Sequence, residues 1–138
     1  MILHAGLIAQ RRRQFWEGVL ITGPSGCGKS ELALRCVDQG FRLVADDRVL
    51  IWSSGGRLWG RAPDALFSLI EARGLGVVAE PALPFCPIGL VVGFADTLER
   101  VPEPAFETLL GLSIAKLHLS YGEPSAPAKL RRGINHLG

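Results

Sequence analysis

The stretch GPSGCGKS, residues 23–30, decides the fold class and most of the function that this sequence predicts. It matches the pattern G-x-x-x-x-G-K-[ST], which is typical of a phosphate-binding loop between a strand and a helix. Glycines let the backbone take angles and approaches that a side chain would forbid, so consecutive N–H groups can point at an anion. The pattern predicts a nucleotide-phosphate site but no particular reaction, because pumps, switches and kinases all carry it.

Two side chains of the loop have chemistry of their own. Lys29 would supply a full positive charge to the terminal phosphates, and the Ser30 hydroxyl is a magnesium ligand of the usual kind. A helix that begins near Lys29 would add the positive end of its dipole. The alternative is a glycine-rich turn with an exposed lysine. The predicted nucleotide-binding residues are Gly23, Pro24, Ser25, Gly26, Cys27, Gly28, Lys29 and Ser30.

Composition and charge limit the classes of function. Of the 138 residues, 48% are hydrophobic and 20% charged, and the formal net charge is +2. This length predicts a single domain over residues 1–138, and so weak a charge does not favour nucleic acid or a membrane as a partner. Cys27, Cys36 and Cys86 lack metal-ligand spacing and indicate reduced thiols in a cytoplasmic protein. No run reaches the roughly 18 apolar residues of a membrane-spanning helix.

The segments around the loop predict strands and a helix. ILHAGLIA, and GVLITG directly before the loop, predict two strands joined by the basic connection QRRRQFWE. In that connection, residues 11–13 would form a solvated turn, with a docking patch for an acidic partner as the alternative. SELALRCVDQG predicts a helix that ends before Gly40, and FRLVADD predicts the next strand.

Shorter elements follow in the rest of the chain. RVLIW and RLWG predict a hairpin, and APDALFSLIEARG predicts a helix over residues 63–74. IGLVVGF predicts a buried strand, LLGLSIAKLHLS a late strand and SAPAKLRRGINHL a basic helix. The predicted fold class is therefore α/β, with a mixed sheet that contains the phosphate loop and is flanked by helices.

Two adjacent carboxylates, Asp46 and Asp47, end the strand FRLVADD. A helix of about nine residues descends roughly 14 Å from the loop, and the strand returns upward over roughly 20 Å, which brings both carboxylates level with the loop. Because neighbouring strand residues point to opposite faces, only one of them is expected to face the site. The alternative is that the pair merely ends a strand before a turn at Arg48.

Other proteins with this loop are excluded by missing motifs. A transporter ATPase needs an LSGGQ-like signature, which SSGG at residues 53–56 does not complete. A guanine-nucleotide switch needs N-K-x-D, but the only asparagine is Asn135. A small-molecule kinase usually has a lid and an acceptor-binding insertion, for which 138 residues leave little room. A compact site with an open acceptor side is consistent with a protein hydroxyl as acceptor.

Three segments together resemble one family. GPSGCGKSELAL, GFRLVADDRV and the E-x-R-G-L-G pattern at residues 71–76 are similar to the catalytic domain of the HPr kinase/phosphorylase family, between His4 and about Leu119. The resemblance implies an HPr kinase/PEP carboxykinase-like fold and an ATP- and magnesium-dependent kinase that phosphorylates a serine of the phosphocarrier protein HPr. Many members also remove that phosphate by phosphorolysis, with inorganic phosphate as reactant and pyrophosphate as product.

The resemblance covers the catalytic domain alone. The amino-terminal regulatory domain of long members has no counterpart here, and their carboxyl-terminal helices are shortened to SAPAKLRRGINHLG. Only Lys116 is a basic candidate near the place of the family's dephosphorylation loop. The chain therefore looks like a short single-domain form, for which kinase activity is a safer expectation than phosphorolysis.

The resemblance implies roles for the loop and the carboxylates. Lys29 and its loop would hold the phosphates, and Ser30 and Glu71 would bind magnesium. Asp47 looks like the acid/base, which accepts the serine proton in the kinase direction and returns it in phosphorolysis. Asp46 would support it or touch the metal shell.

Three further residues are implied in catalysis. His4 resembles a histidine near the phosphate site, Arg73 belongs to the signature that serves both directions, and Arg100 resembles a loop arginine that steadies the transferring charge. The alternatives are a strand-end histidine, an exposed pair of Glu71 with Arg73, and a solvated loop arginine.

The implied partner is HPr or an HPr-like phosphocarrier, in a homo-oligomer that is hexameric in long members. A non-catalytic module that senses ATP or phosphate and acts through protein contact remains the alternative function.

Overall fold

One strand organises the sheet of this protein. The computed structural model describes residues 1–137, in which a branched sheet of nine strands carries two helices on one face. At its centre, β9 (Cys86–Phe94) pairs in parallel with β3 (Phe15–Ile21) along one edge. Its other edge pairs first with antiparallel β6 (Arg57–Arg61) and then with parallel β11 (Leu112–Leu119). The mixed sheet predicted from the sequence is confirmed.

The strands on either side of β2 (Gly6–Arg12) bring the site together. β2 runs antiparallel to both β3 and β4 (Arg42–Ala45), so β3 and β4 point the same way and end at the same edge of the sheet. The segment QRRRQFWE, predicted as a connection, belongs largely to β2 and β3, and the turn is confined to Arg13 and Gln14. Arg12 pairs directly with Phe15, so only two residues form the turn between the strands.

The two helices form where the sequence predicts them. α1 (Lys29–Asp38) follows the GPSGCGKS loop and buries Leu32, Ala33 and Cys36 against the sheet. It ends before Gly40, whose φ of 99° is readily adopted only by glycine. α2 (Ala126–His136) buries one side on the same face of the sheet. Within residues 1–137, neither helix is long and apolar enough to cross a membrane.

The predicted helix over residues 63–74 is wrong. The chain there forms a short 3-10 turn (Asp64–Leu66), then β7 (Leu69–Ala72), which pairs with β8 (Gly76–Ala79) as a separate two-stranded sheet. Burial alternates along β7, as in a strand with one covered face. A short apolar run cannot be assigned to helix or strand by periodicity alone, and glycines with positive φ close the hairpin.

The remaining strands complete the nine-stranded sheet. β1 (Ile2–Leu3) pairs with β5 (Val49–Ser54), which forms the predicted hairpin with β6. The predicted late strand is a hairpin of β10 (Ala105–Leu109) with β11. One apolar cluster lies between the sheet and the helices, and a second covers the opposite face.

Candidate active site

A cavity of about 470 Å³ opens where β3 and β4 end. Its lining is formed by residues of the GPSGCGKS loop, by the two adjacent aspartates, and by Glu71 and Arg73 from β7 and the turn that joins it to β8. Ligands of open α/β sheets bind at this edge. The cavity brings together these residues predicted from the sequence: His4, Ser25, Gly26, Gly28, Lys29, Ser30, Asp46, Asp47, Glu71 and Arg73.

The backbone of the loop depends on its glycines. Gly23 has a φ of 138°, and a Cβ there would lie only 2.7 Å from the Cys27 Sγ atom. Gly28, with a φ of 103°, leads directly into α1. The Lys29 ammonium donates hydrogen bonds to the carbonyls of Gly23 (2.8 Å) and Pro24 (3.1 Å), so the lysine folds back over its own loop.

Asp46 is a buried carboxylate that is held by neutral donors. Its residue is 5% exposed. The Ser30 hydroxyl lies 2.8 Å from Oδ1 and 3.0 Å from Oδ2, and the Glu71 backbone N–H donates to Oδ2 at 3.0 Å. Within residues 1–137, no lysine, arginine or histidine forms a salt bridge with Asp46. A buried charge without a cationic partner suits a ligand that brings positive charge.

Asp47 also faces the cavity, although strand alternation predicted that only one of the two aspartates would. β4 ends at Ala45, and Asp47 has a φ of 71°, which breaks the alternation. Its Oδ1 lies 3.0 Å from His4 Nε2, and its Oδ2 lies 3.1 Å from Arg48 Nη1. The Asp47 side chain is 57% exposed, so it remains accessible to a second molecule.

The last three predicted residues lie in two segments: Glu71 and Arg73 at the β7–β8 hairpin, and Arg100 in a separate loop. Glu71 is an exposed residue of β7, one position before the strand ends, and its backbone N–H donates a hydrogen bond to Asp46. Arg73 is exposed in the turn that follows. Arg100 lies in the exposed segment of residues 95–104 and does not line the cavity. The structure thus brings Glu71 and Arg73 to the acidic pair but not Arg100.

Tyr121 is a neighbour of the site that the sequence did not indicate. Its buried hydroxyl donates toward the carbonyls of Thr22 (2.5 Å) and Val92 (3.0 Å), directly before the loop begins. Tyr121 is 99 positions away from Thr22 along the chain. No motif connects the two segments, and only the fact that Tyr121 is the one tyrosine in the sequence could have drawn notice.

Comparison with known proteins assigns the family. A family model described as "HPr Serine kinase C-terminal domain" matches residues 13–82, just over half of the chain. The chain belongs to this family. The matched residues contain the GPSGCGKS loop, the aspartate pair and the β7–β8 hairpin, so the family model covers the lining of the cavity except His4 and Ala5.

Curated relatives match the same family over part of their length. An HPr kinase/phosphorylase of Mycoplasmopsis pulmonis is 43% identical over 89 residues, which cover 59% of this chain and 29% of the relative. One from Clostridium perfringens is 50% identical over 66 residues, or 48% of this chain and 22% of the relative. One from Streptococcus thermophilus is 53% identical over 62 residues, or 44% and 20%. The chain therefore spans less than a third of the length of these relatives.

A solved structure matches the whole fold. The Hpr(Ser) kinase/phosphatase from Coxiella burnetii superposes with a TM-score of 0.83, over 98% of this chain and 94% of that one, at 22% sequence identity. The strand and helix arrangement of the protein is thus that of an HPr kinase structure, and the fold prediction is confirmed.

Proposed function

We propose that the protein is an ATP- and magnesium-dependent serine kinase that phosphorylates HPr or an HPr-like phosphocarrier. The observation that carries this proposal is the contact of Asp46 with Ser30, with Asp47 beside it in the same cavity. A phosphate loop alone suits many functions, whereas a loop with two carboxylates at its edge has the groups that phosphoryl transfer needs.

The loop fits the phosphates of a nucleotide. Its backbone at Gly26 and Gly28 lines the cavity, and the amino end of α1 lies directly behind it. Backbone N–H groups and a helix amino terminus both favour an anion. In this arrangement, Lys29 would exchange its two loop carbonyls for phosphate oxygens. The hydrogen bonds to the two carbonyls already hold the ammonium at the loop, where the phosphates would lie.

The donor set beside the loop fits magnesium. Magnesium usually takes one or two protein oxygens and completes its shell with water and phosphate oxygens. Ser30 and Glu71 would hold it, with Asp46 supporting Ser30 or binding in the outer shell. When bound, magnesium would neutralise charge on the phosphates during transfer. Within residues 1–137 no cluster of three His, Cys, Asp or Glu side chains that could hold a metal forms.

Asp47 would handle the proton in this reaction. As the serine oxygen of HPr bonds to the γ-phosphorus, the bond to the leaving diphosphate breaks and Asp47 takes the hydroxyl proton. In the reverse reaction, an oxygen of inorganic phosphate attacks the phosphoserine, Asp47 returns the proton to the serine oxygen, and pyrophosphate leaves. Only an exposed carboxylate can reach a serine on another protein, and Asp47 is exposed where Asp46 is not.

Three charged residues would assist in this reaction. His4 and Arg48 hold Asp47 from two sides and fix the orientation of its carboxylate. Arg73, which also lines the cavity, would face the transferring phosphoryl group. Arg100 could act only after the segment of residues 95–104 moves toward the cavity. We also propose that residues 1–138 act as one cytoplasmic catalytic domain in a homo-oligomer.

The decisive experiment is transfer of label from γ-labelled ATP to HPr in the presence of magnesium. The wild-type protein is expected to label one serine of HPr, and Asp47→Asn is expected to lose most of the transfer while it still binds ATP. The matched control is Asp38→Asn, which changes an exposed aspartate at the far end of α1. If Asp47→Asn transferred label at the wild-type rate, the acid/base role would be refuted.

The second candidate function, a non-catalytic ATP or phosphate sensor, gives a different result. A bound phosphate would have to replace the contacts of Lys29 with its own loop, and this change would give a sensor a signal to pass on. A sensor would bind ATP but transfer no label to HPr. For the reverse direction, phosphorylated HPr with inorganic phosphate yields pyrophosphate only if phosphorolysis is retained.

A further inference from the structure

A single buried tyrosine lies beneath the GPSGCGKS loop. Tyr121, which is 1% exposed, directs its hydroxyl at the carbonyl of Thr22, the last residue before the loop, and at the carbonyl of Val92 on β9. The Val92 carbonyl also accepts the backbone N–H of Thr22 at 2.9 Å and its hydroxyl at 2.8 Å. The tyrosine hydroxyl is therefore shared between the two strands from which the loop departs.

The side chain of Tyr121 lies near both ends of the loop. A Cβ on Gly23 would lie 3.8 Å from the ring, and a Cβ on Gly28 would lie 3.7 Å from the Tyr121 Cβ. The ring of Phe94 packs edge-on against the same side chain, with centroids 5.4 Å apart. The first and last glycines of the pattern thus lie close to the same side chain.

Tyr121 is itself fixed to the helix that follows the loop. The Arg35 guanidinium of α1 donates to the Tyr121 carbonyl and, at 3.0 Å, to the Glu123 carbonyl. The Glu123 carboxylate in turn pairs with Lys129 of α2 at 2.6 Å. The loop entrance, α1 and β9 therefore all form hydrogen bonds with Tyr121, and α2 is connected to the same segment through Glu123.

We infer that Tyr121 is a positioning residue for nucleotide phosphates, because its hydroxyl and ring fix the backbone whose N–H groups would bind them. The inference rests on the proposed nucleotide binding of this loop. A phosphate loop binds by donors that are already aligned, and any freedom of its ends must be lost on binding. Without the hydroxyl, the Thr22 carbonyl loses its side-chain donor and the loop entrance gains that freedom.

The chemistry of the hydroxyl suits a permanent donor. Burial raises the pKa of Tyr121 above its usual value. The side chain therefore stays neutral and keeps its proton throughout the pH range in which a kinase works. The contribution of Tyr121 to phosphate binding is accordingly expected to be independent of pH between about 6 and 9, below the ordinary tyrosine pKa.

The test is Tyr121→Phe, which keeps the ring and removes the hydroxyl. The dissociation constant for ATP with magnesium, measured by calorimetry well below the melting temperature, is expected to rise about five-fold, in line with one lost hydrogen bond. Amide hydrogen exchange is expected to accelerate at residues 23–30 and not in β5. The control is Ile51→Val, a conservative change of a buried β5 residue on the other face of the sheet, which should lower the melting temperature but leave the dissociation constant unchanged.

Each outcome decides between the proposals. A wild-type dissociation constant in Tyr121→Phe would overturn the positioning role and leave the kinase proposal standing. Wild-type binding of ATP without transfer to HPr would overturn the kinase proposal and leave the positioning role testable. If Tyr121→Phe does not fold, Arg35→Gln is measured in its place, since it frees the Tyr121 carbonyl from α1 and must also weaken ATP binding. Unchanged binding in Arg35→Gln would then overturn the inference.

Discussion

Two carboxylates are buried at opposite edges of the sheet, and they differ in their charged partners. One lies near the start of β3 and the other follows the end of β4. Glu17, 4% exposed near the start of β3, is paired with Arg12 at 2.5 Å and Arg57 at 3.3 Å. Among residues 1–137, Asp46, which is 5% exposed after the end of β4, receives hydrogen bonds only from the Ser30 hydroxyl and the Glu71 backbone N–H. Their burial is alike, but the fold supplies cations to one and not to the other.

The difference separates a structural charge from a functional one. Burying an ion is costly unless a partner neutralises it, and Glu17 has two such partners. Gly89 of β9 leaves the space into which the Glu17 side chain extends, because a Cβ there would overlap its carboxylate. Asp46 lies instead beside a cavity lined by a phosphate-loop pattern. The cation that compensates Asp46 is therefore expected to come with the ligand.

Asp46→Asn should have the largest effect on activity. The amide keeps the size of the side chain but removes the charge that Ser30 and the metal would share, so phosphoryl transfer to HPr is expected to fall at least about 100-fold. Because no cation of the described chain loses a partner, the free energy of unfolding should change by less than about 1 kcal/mol. Transfer of label and urea unfolding measure the two quantities. A large loss of stability with normal transfer would reverse the assignment.

Glu17→Gln is expected to give the opposite result. Removing the charge leaves Arg12 and Arg57 without a counter-ion, and the partial exposure of both arginines limits the cost to about 2 kcal/mol of unfolding free energy. The rate of transfer to HPr should stay within two-fold of the wild-type rate, because distant sites usually affect each other by no more than roughly 0.5 kcal/mol. Glu107→Gln, which breaks a more exposed pair with Lys116, is the control and should cost less than about 1 kcal/mol.

His4→Ala should affect the site but not the stability. The contact between His4 and Asp47 is exposed, and such pairs contribute less than about 1 kcal/mol. Without His4, the Asp47 carboxylate keeps only Arg48 and is less well oriented, so the rate of transfer is expected to fall about ten-fold. Single-turnover transfer kinetics measure this effect, and an unchanged rate would show that His4 is only a strand-end residue.

Thiol labelling compares the phosphate loop with the region around Glu17 and requires no substitution. Burial raises the pKa of Cys36 and of Cys86, the latter near Glu17, to about 12. At pH 8 only about one thiol in ten thousand of either is ionised, and the fraction grows as the pH rises toward that pKa. Cys27, half-buried in the loop, should be alkylated first, and ATP with magnesium should slow it. Mass spectrometry showing rapid labelling of Cys86 would contradict the closed packing around Glu17.

The sequence predicted the phosphate loop and the nearby aspartates, but it did not predict the hairpin and the tertiary contacts around them. The loop, α1 and the return of Asp46 to the loop follow from a short-range pattern and from the lengths of one helix and one strand. The β7–β8 hairpin was missed because its four-residue strands carry no distinctive period, and Pro63 with Asp64 resembles a helix start. The left-handed φ of Asp47 and the contact of Tyr121 with Thr22 depend on tertiary packing, which a single sequence does not display.

The most direct test of this account is the magnesium dependence of ATP binding, measured by calorimetry in the wild-type protein and in Asp46→Asn. If the metal compensates the charge of Asp46, magnesium should tighten ATP binding at least about ten-fold in the wild type, or roughly 1.4 kcal/mol, and have little effect in Asp46→Asn. Glu17→Gln should keep the wild-type dependence. Equal magnesium dependence in wild type and Asp46→Asn would show that Asp46 is no part of a metal site.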